Sequence, residues 1–510
     1  MKSLFPLRVA CADVGSNGIR FVIAEFHDPT RYETLSYERL PVRLGHQVFL
    51  SGHLDADAID RTVQAFESFA RQLEAFGVEH HRAVATSAVR EARDGRTLVE
   101  GIRKKAGIYV DVVTGSEEAR LVHGAVASRL DLSGDQWILV DLGGGSVEVS
   151  LVDDMGMLWT ESHTMGAVRL LEALAGAAPE DDPERYRTLL TEYVSVLRIP
   201  APAQYWVPAG FVATGGNIEA LADLASARTD EAGVQHLPVA DLEASIALLS
   251  RMSYRDRVET LGMREDRADV ILPGALVYHR LAHLAGVDEI VVPRVGVKDG
   301  ILLDLVDGLV SRTHHEARGE AQLRKAALAL GRRFFFDEAH ALHVAQLASS
   351  LFEQLRPVHG LPPRQRLLLV AAALLHDIGS FIQHKGHHKH TAYIVARSAL
   401  PGLSLRDMHV AANVARYHRG ADPTTRHPPF AALSPKHQER VVQMGAILRL
   451  ADALDRQQRQ LVRDVRAKVE NGVVRLRLES DSEVLLERWA LARNKALFEE
   501  AFGMVVDVDP

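Results

Sequence analysis

The chain has 510 residues, 47% of them hydrophobic and 25% charged, with 20 prolines; this is material for three or four packed domains at about 100–200 residues each, and it excludes a largely disordered polymer. The net charge of −8 excludes general affinity for nucleic acid, so any polyanionic ligand has to be met by a local basic patch. A single cysteine, Cys11, excludes an internal disulfide, and no apolar run reaches the roughly 20 residues of a membrane span, so a cytoplasmic protein without a span is expected.

The first third alternates strand-like and helix-like segments. LRVACADV at 7–14, IRFVIAEF at 19–26, HRAVATS at 81–87 and VDVVTG at 110–115 have strand character, which predicts an α/β unit. Cys11 lies inside the first run and reads as core filler. DVGSNGIRFVIAE at 13–25 and DLGGGSVEVSLVD at 141–153 form a weak internal repeat: Asp-apolar-Gly after a strand, then a second alternating strand. Two such hairpins imply two similar half-domains. A dinucleotide-binding turn is excluded, because that turn must open a helix whereas Ile19, Phe21 and Ile23 alternate at strand period.

Glycines at strand turns let a phosphate approach the backbone, which singles out Gly15, Gly18, Gly143, Gly144 and Gly145, with Ser16, Asn17 and Ser146 as side-chain donors. Asp13 and Asp141 at the strand ends suit a hard, partly hydrated cation. VATGGNIEALA at 212–222 reads as strand, turn and helix, and Gly215 and Gly216 place further amides at a helix start. Hydrolysis of a phosphoanhydride needs a carboxylate to orient water; Glu117, Glu118 and Glu148 are the candidates, and the pattern alone does not choose among them. Arg90, one turn past a strand end, is suited to phosphoryl oxygens.

From about residue 306 the strand signal disappears, and 321–356, 364–379 and 436–458 show helical spacing. This half is also the basic one, with an arginine-rich stretch at 312–333 and HKGHHKH at 384–390. Beyond 463, DVRAKVENGVVRLRLES predicts a hairpin about Asn471-Gly472, followed by a helix near 486–502 and a strand MVVDV. The expected domains are therefore 1–125, 126–305, 306–462 and 463–510.

DVGSNGIRFVI, ATSAVREA, GSEEARL, VDLGGGSVEV, ATGGNIEALA and RADVILPGALV, in that order, resemble the exopolyphosphatase and guanosine pentaphosphate phosphatase family over essentially the whole chain. The resemblance implies duplicated ribonuclease H-like halves, as in actin, sugar kinases and heat-shock ATPases, followed by an all-α HD-like domain and a small α/β cap. It implies Mg²⁺ as cofactor, Glu118 as the base that activates water, Arg90 on the substrate phosphate, and Asp141, Gly143 and Glu148, with Asp13, around metal and phosphate. Polyphosphate is the expected substrate, guanosine penta- or tetraphosphate the alternative, and a homodimer the usual assembly. A phosphotransferase and an idle sensor of polyphosphate or alarmone are the remaining rivals.

Two positions depart from the family pattern: Gly18 replaces a Ser, and RVGVKDG at 294–300 replaces a GLREG-like run, leaving Lys298 as a phosphate-binding candidate and Asp299 in place of Glu. In the helical half, His340, His376-Asp377 and Asp452 have the layout that holds a divalent metal in HD phosphohydrolases, a second candidate metal site. HHKH at 387–390 and ARYHR at 415–419 are candidate additional ligands or anion donors.

Overall fold

The computed structural model describes residues 4–133, 136–154, 156–174, 183–199 and 208–508. It divides once, into the compact units Met1–Ala317 and Arg318–Pro510. The finer boundaries at 125/126 and 462/463 fall inside these units.

In the first unit, β1 (Leu7–Val14), β2 (Ile19–Phe26) and β3 (Tyr32–Leu40) form an antiparallel meander, and β4 (His80–Ala85) and β5 (Val110–Val112) continue in parallel on the other side of β1. A second sheet repeats the plan. There β6 (Trp137–Leu142), β7 (Val147–Asp153) and β8 (Gly156–His163) form the meander, and β9 (Gly210–Thr214) pairs in parallel with β6. Two short strands, β10 (Arg228–Thr229) and β11 (Gln235–Pro238), are added beyond β12 (Glu289–Val292), which is parallel to β9. The shared order, β3-β2-β1-β4-β5 against β8-β7-β6-β9-β12, is the duplicated ribonuclease H-like architecture expected from the repeated hairpins.

β1 reads as nearly continuous apolar sequence because both of its faces are covered: Ala10, Ala12 and Val14 enter one core, Val9 and Cys11 another. Cys11 is buried core, its thiol 3.3 Å from the Lys298 carbonyl. The helix Val297–Val310 lies in the same second core through Ile301, Leu302 and Val306. It also packs tightly on the helix Gly115–Ala127. A β-carbon on Gly300 would fall 2.1 Å from the Leu121 carbonyl oxygen, so only glycine permits this approach.

In the second unit one continuous core joins Leu347, Leu351, Leu369 and Ile447 of the helices to Val465, Leu476 and Val506 of the hairpin β13 (Asp464–Glu470), β14 (Val473–Glu479) and the parallel strand β15 (Val505–Val508). Asn471 and Gly472 both have positive φ, 50° and 77°, as a tight two-residue hairpin turn requires. The expected long helix at 321–356 is broken: Arg312–Arg333 ends, and Asp337 caps a new helix, Glu338–Gln354, by accepting from the His340 amide. The helix expected near 486–502 is likewise two, Leu485–Asn494 and Ala496–Phe502. No helix among the described residues is long and apolar enough to cross a membrane.

Because a β-carbon at 300 must push the helix Gly115–Ala127 away, Gly300→Ala is expected to cost about 1–3 kcal/mol in urea unfolding of the full chain. An unchanged midpoint would mean that the two helices are not held at this distance.

Candidate functional site

The two repeated turns face each other across a cleft. Each is closed by its own hydrogen bond, Gly15 N–H to Gly18 O at 3.1 Å and Gly143 N–H to Ser146 O at 3.0 Å. The amides of Gly15 and Gly143 are therefore committed to the turns, which narrows the expectation that every loop glycine offers a donor to phosphate. Gly15, Ser16, Asn17, Gly143 and Gly144 line the cleft, as do Gly215, Gly216 and Lys298. Gly145 and Ser146 sit behind it: a β-carbon on Gly145 would meet Phe49 and the Ser87 hydroxyl at 2.4 Å, and Ser146 is buried. The loops touch, since a β-carbon on Gly144 would come within 3.0 Å of Ser16 Cβ. Gly18 has no room for the family's serine, because its β-carbon would lie 2.8 Å from the Leu40 carbonyl oxygen.

The hairpin register decides the electrostatics. In the first half Asp13 lies opposite Arg20 and pairs with it at 2.8 Å. In the second half the corresponding position opposite Asp141 is Glu148. Glu118, in the first turn of the helix Gly115–Ala127, completes a buried group in which carboxylate oxygens of Glu118, Asp141 and Glu148 lie within 4.8 Å of one another. Thr214 donates to Asp141 at 2.7 Å, and Ser162 donates to Glu148 at 2.7 Å. Glu118 Oε2 is buried with no hydrogen-bond partner among the described residues, its nearest cation being Arg90 at 3.6 Å. Arg90 itself donates to the Val113 carbonyl at 2.8 Å, beside the base candidate, and does not line the cleft.

Burial pushes Asp141 up to about 6 against the hydrogen bond from Thr214, with the charge of Asp13 adding to the rise. Burial and then Asp141 push Glu148 up to about 7. Burial and the charge of Glu148 hold Glu118 well above the carboxylate range, more than Arg90 offsets. Three oxygen-donor groups, each unwilling to ionise alone, fit a hard divalent cation that would supply the missing positive charge.

Glu117 has the opposite surroundings. It takes two hydrogen bonds of 2.8 Å from Arg120, which also binds Asp304 on the helix Val297–Val310 at 2.8 Å, as does Arg82 at 2.6 Å. Burial would raise Glu117, but Arg120 and Arg82 outweigh it and hold it low. One step along the helix thus separates a structural carboxylate from one facing the cleft.

Several cleft residues carried no individual signal in the sequence reading. Arg20, Arg39, Arg264 and Arg267 line the cleft with Lys298, and Thr86 and Ser87 add hydroxyls, Ser87 lying 2.9 Å from Ser16. Arg267 opens the RADVILPGALV motif and donates to Asn217; Gly216 leaves it space, since a β-carbon there would meet its guanidinium at 2.3 Å. Burial, then Arg264, Arg20 and Arg39, lower Arg267 to about 10, the sign of a concentrated positive field. Asp299 is used locally, accepting from Gly296 N at 2.8 Å, Tyr32 at 2.7 Å and Lys298 at 2.7 Å.

In the second unit His340, His376 and Asp452 converge, the Asp452 Oδ1 lying 3.5 Å from His340 Nε2 and 3.4 Å from His376 Nε2. Asp377 stands beside them at 3.8 Å from His376.

The Ppx/GppA phosphatase family model matches residues 22–309, and its domain III model matches 324–500. The chain belongs to this family. Exopolyphosphatase 1 of Mycobacterium tuberculosis is 28% identical over 63% of this chain and 93% of its own length. The guanosine-5'-triphosphate,3'-diphosphate pyrophosphatase of Pseudoalteromonas translucida is 26% identical over 80% of each chain. Among solved structures, an exopolyphosphatase from Cytophaga hutchinsonii is similar over 59% of this chain and 98% of that one, with 26% identity and a TM-score of 0.53.

The raised carboxylates make a signed prediction. Between the ordinary carboxylate value of about 4 and the values of about 6 and 7, the folded state holds protons that the unfolded state releases, so stability is lost as pH rises through that window. Added Mg²⁺ is expected to raise the melting temperature more at pH 8 than at pH 5, and Glu148→Gln to raise the cation-free melting temperature at pH 8. Equal Mg²⁺ shifts at both pH values would count against a cation on these residues.

Proposed function

Given membership of the Ppx/GppA phosphatase family, we propose that the chain is an exopolyphosphatase that hydrolyses the terminal phosphoanhydride of inorganic polyphosphate. The observation that carries the reading is Glu118: a buried carboxylate with an unpartnered oxygen, beside a cleft lined by two phosphate-type turns and a group of cations. Asp141 and Glu148, with Asp13 near them, would hold Mg²⁺, which when bound draws charge from the terminal phosphate.

The side chains supply the rest. Arg267, Arg264, Arg20 and Lys298 hold the phosphate oxygens of the chain end, and the amides and hydroxyls of the turns orient them. Glu118 takes a proton from water as the water oxygen bonds to the terminal phosphorus; the bridging P–O bond breaks, and its electron pair stays with the shortened chain. Arg90 keeps Glu118 aimed and lowers the cost of its charge. Glu117 stays in its arginine network and takes no part in the chemistry.

Tyr37, itself half exposed, is the aromatic side chain among the described residues lining the cleft, and the remaining lining is mostly charged, polar or glycine, with Leu142 and four valines as its apolar part. That favours a chain of phosphates over a stacked purine. Guanosine pentaphosphate is the second reading, supported by the match with the Pseudoalteromonas enzyme, which covers more of this chain than the mycobacterial match. The buried lone thiol fits a reducing cytoplasm, and a homodimer is the assembly proposed.

Phosphate release from long-chain polyphosphate and from guanosine pentaphosphate, measured side by side with Mg²⁺, tests this. Glu118→Gln is expected to lose at least a hundredfold in kcat while melting normally, and Glu117→Gln to lose stability more than kcat. Faster turnover of the nucleotide would replace polyphosphate as substrate, and binding without turnover of either would make the chain a sensor.

A further inference from the structure

The duplicated hairpins put an aspartate at the same place in each half, yet the two aspartates meet different partners. Opposite Asp141 the register sets Glu148, and with Glu118 these two bring carboxylate oxygens within 4.8 Å of one another. Opposite Asp13 it sets Arg20, whose Nη1 donates to Asp13 Oδ2 at 2.8 Å. Among the described residues, Asp13 belongs to no cluster of three or more converging ligand atoms.

The pair is layered. The Asp13 side chain keeps 6% of its surface exposed and that of Arg20 29%, so the carboxylate lies beneath and the guanidinium in front, and both line the cleft. Asp13 is on β1, paired on one side with Arg20 of β2 and on the other with Val84 of β4, which fixes its backbone. Among the described residues Asp13 is the hydrogen-bond partner of Arg20. A guanidinium presents several N–H donors in one plane, so the rest of the fork stays available to an anion.

Charge decides what such a pair can hold. A divalent cation is drawn to Glu118, Asp141 and Glu148, which lack a close positive partner. At Asp13 it would crowd a guanidinium already at hydrogen-bond distance, and the like charges would repel. A phosphate meets the reverse situation. Its oxygens face the open side of a fork held from behind by a carboxylate, and a fork held in place loses less freedom on binding than a free arginine does.

We infer that Asp13 is a positioning residue for Arg20 and not a ligand of the cation. The expectation that Asp13 joins Asp141 around the metal is thereby replaced by a division between the two copies of the turn. The second half holds the cation, and the first half holds a fixed guanidinium for a substrate phosphate. This division rests on the phosphoanhydride reading of the cleft and assigns a separate task to each half within it.

The sign of one substitution separates this role from a merely structural one. Asp13→Ala removes a negative charge from the cleft, so a polyanion would bind as well or better if the carboxylate did nothing for Arg20. As the clamp on Arg20, its loss is expected to weaken the binding of long-chain polyphosphate about tenfold, measured on the full-length chain in a chelator so that neither cation nor turnover intervenes. In an Arg20→Met background, where no fork is left to hold, Asp13→Ala is expected to change sign and tighten polyphosphate. The midpoint of the Mg²⁺-induced rise in melting temperature is expected to move less than about threefold in Asp13→Ala and more than about tenfold in Asp141→Ala. Unchanged or tighter polyphosphate binding by Asp13→Ala alone, or an Mg²⁺ midpoint moved as far as in Asp141→Ala, overturns the inference. Guanosine pentaphosphate is titrated in parallel. If only the nucleotide binds, polyphosphate falls as the substrate and the same change of sign on the nucleotide judges Asp13; binding of neither overturns both. Should Asp13→Ala fail to melt cooperatively, the isosteric Asp13→Asn is judged by the same signs.

Discussion

Three carboxylates buried together in the first unit set the terms for everything around them. Glu118, Asp141 and Glu148 would repel one another if all were charged, and the nearest fixed cation, Arg90, is too far to form a close pair with Glu118 and is shared with a backbone carbonyl. A fold that keeps such a group has to hold it against its own repulsion. The helix that carries Glu118 is accordingly tied down by the Arg120–Asp304–Arg82 network and by the close approach at Gly300. Stability spent on confining negative charge is the usual mark of a site that expects a cation and a charged substrate.

Duplication explains how this imbalance arises. Both halves place an aspartate at the end of the first hairpin strand, but the residue opposite is Arg20 in one half and Glu148 in the other. One copy is self-neutralised and the other is left electron-rich. A symmetric fold thereby makes an asymmetric cleft, with acids on one copy of the turn and guanidinium groups gathered near the other.

The second unit solves a related problem with nitrogen. Five of its helices deliver imidazoles and carboxylates to one cluster and hold each ring by its outer nitrogen. The grouped donors are oxygen alone in the first unit and mixed nitrogen and oxygen in the second.

Local sequence determined a good deal. The Asn471-Gly472 hairpin, the two hairpins that open with Asp-apolar-Gly and the strand-then-helix of VATGGNIEALA follow, in turn, from which residues accept positive φ, alternate at strand period, or open a helix, and all are settled within a few residues. The helix breaks at Asp337 and Lys495 were harder to see, because a cap is chosen against continued helix by what the next segment packs on. Glu117 and Glu118 were indistinguishable in the pattern itself, and resemblance alone preferred the second. Tertiary structure separates them by about 100° of helix rotation, one toward Arg120 and Arg82, the other toward the cleft. Arg39, Asn217 and the pairing of His387 with His418 likewise depended on contacts between segments far apart in the chain. Charge and hydrogen bonding act through space within a few ångströms, and only the folded chain brings those atoms into range.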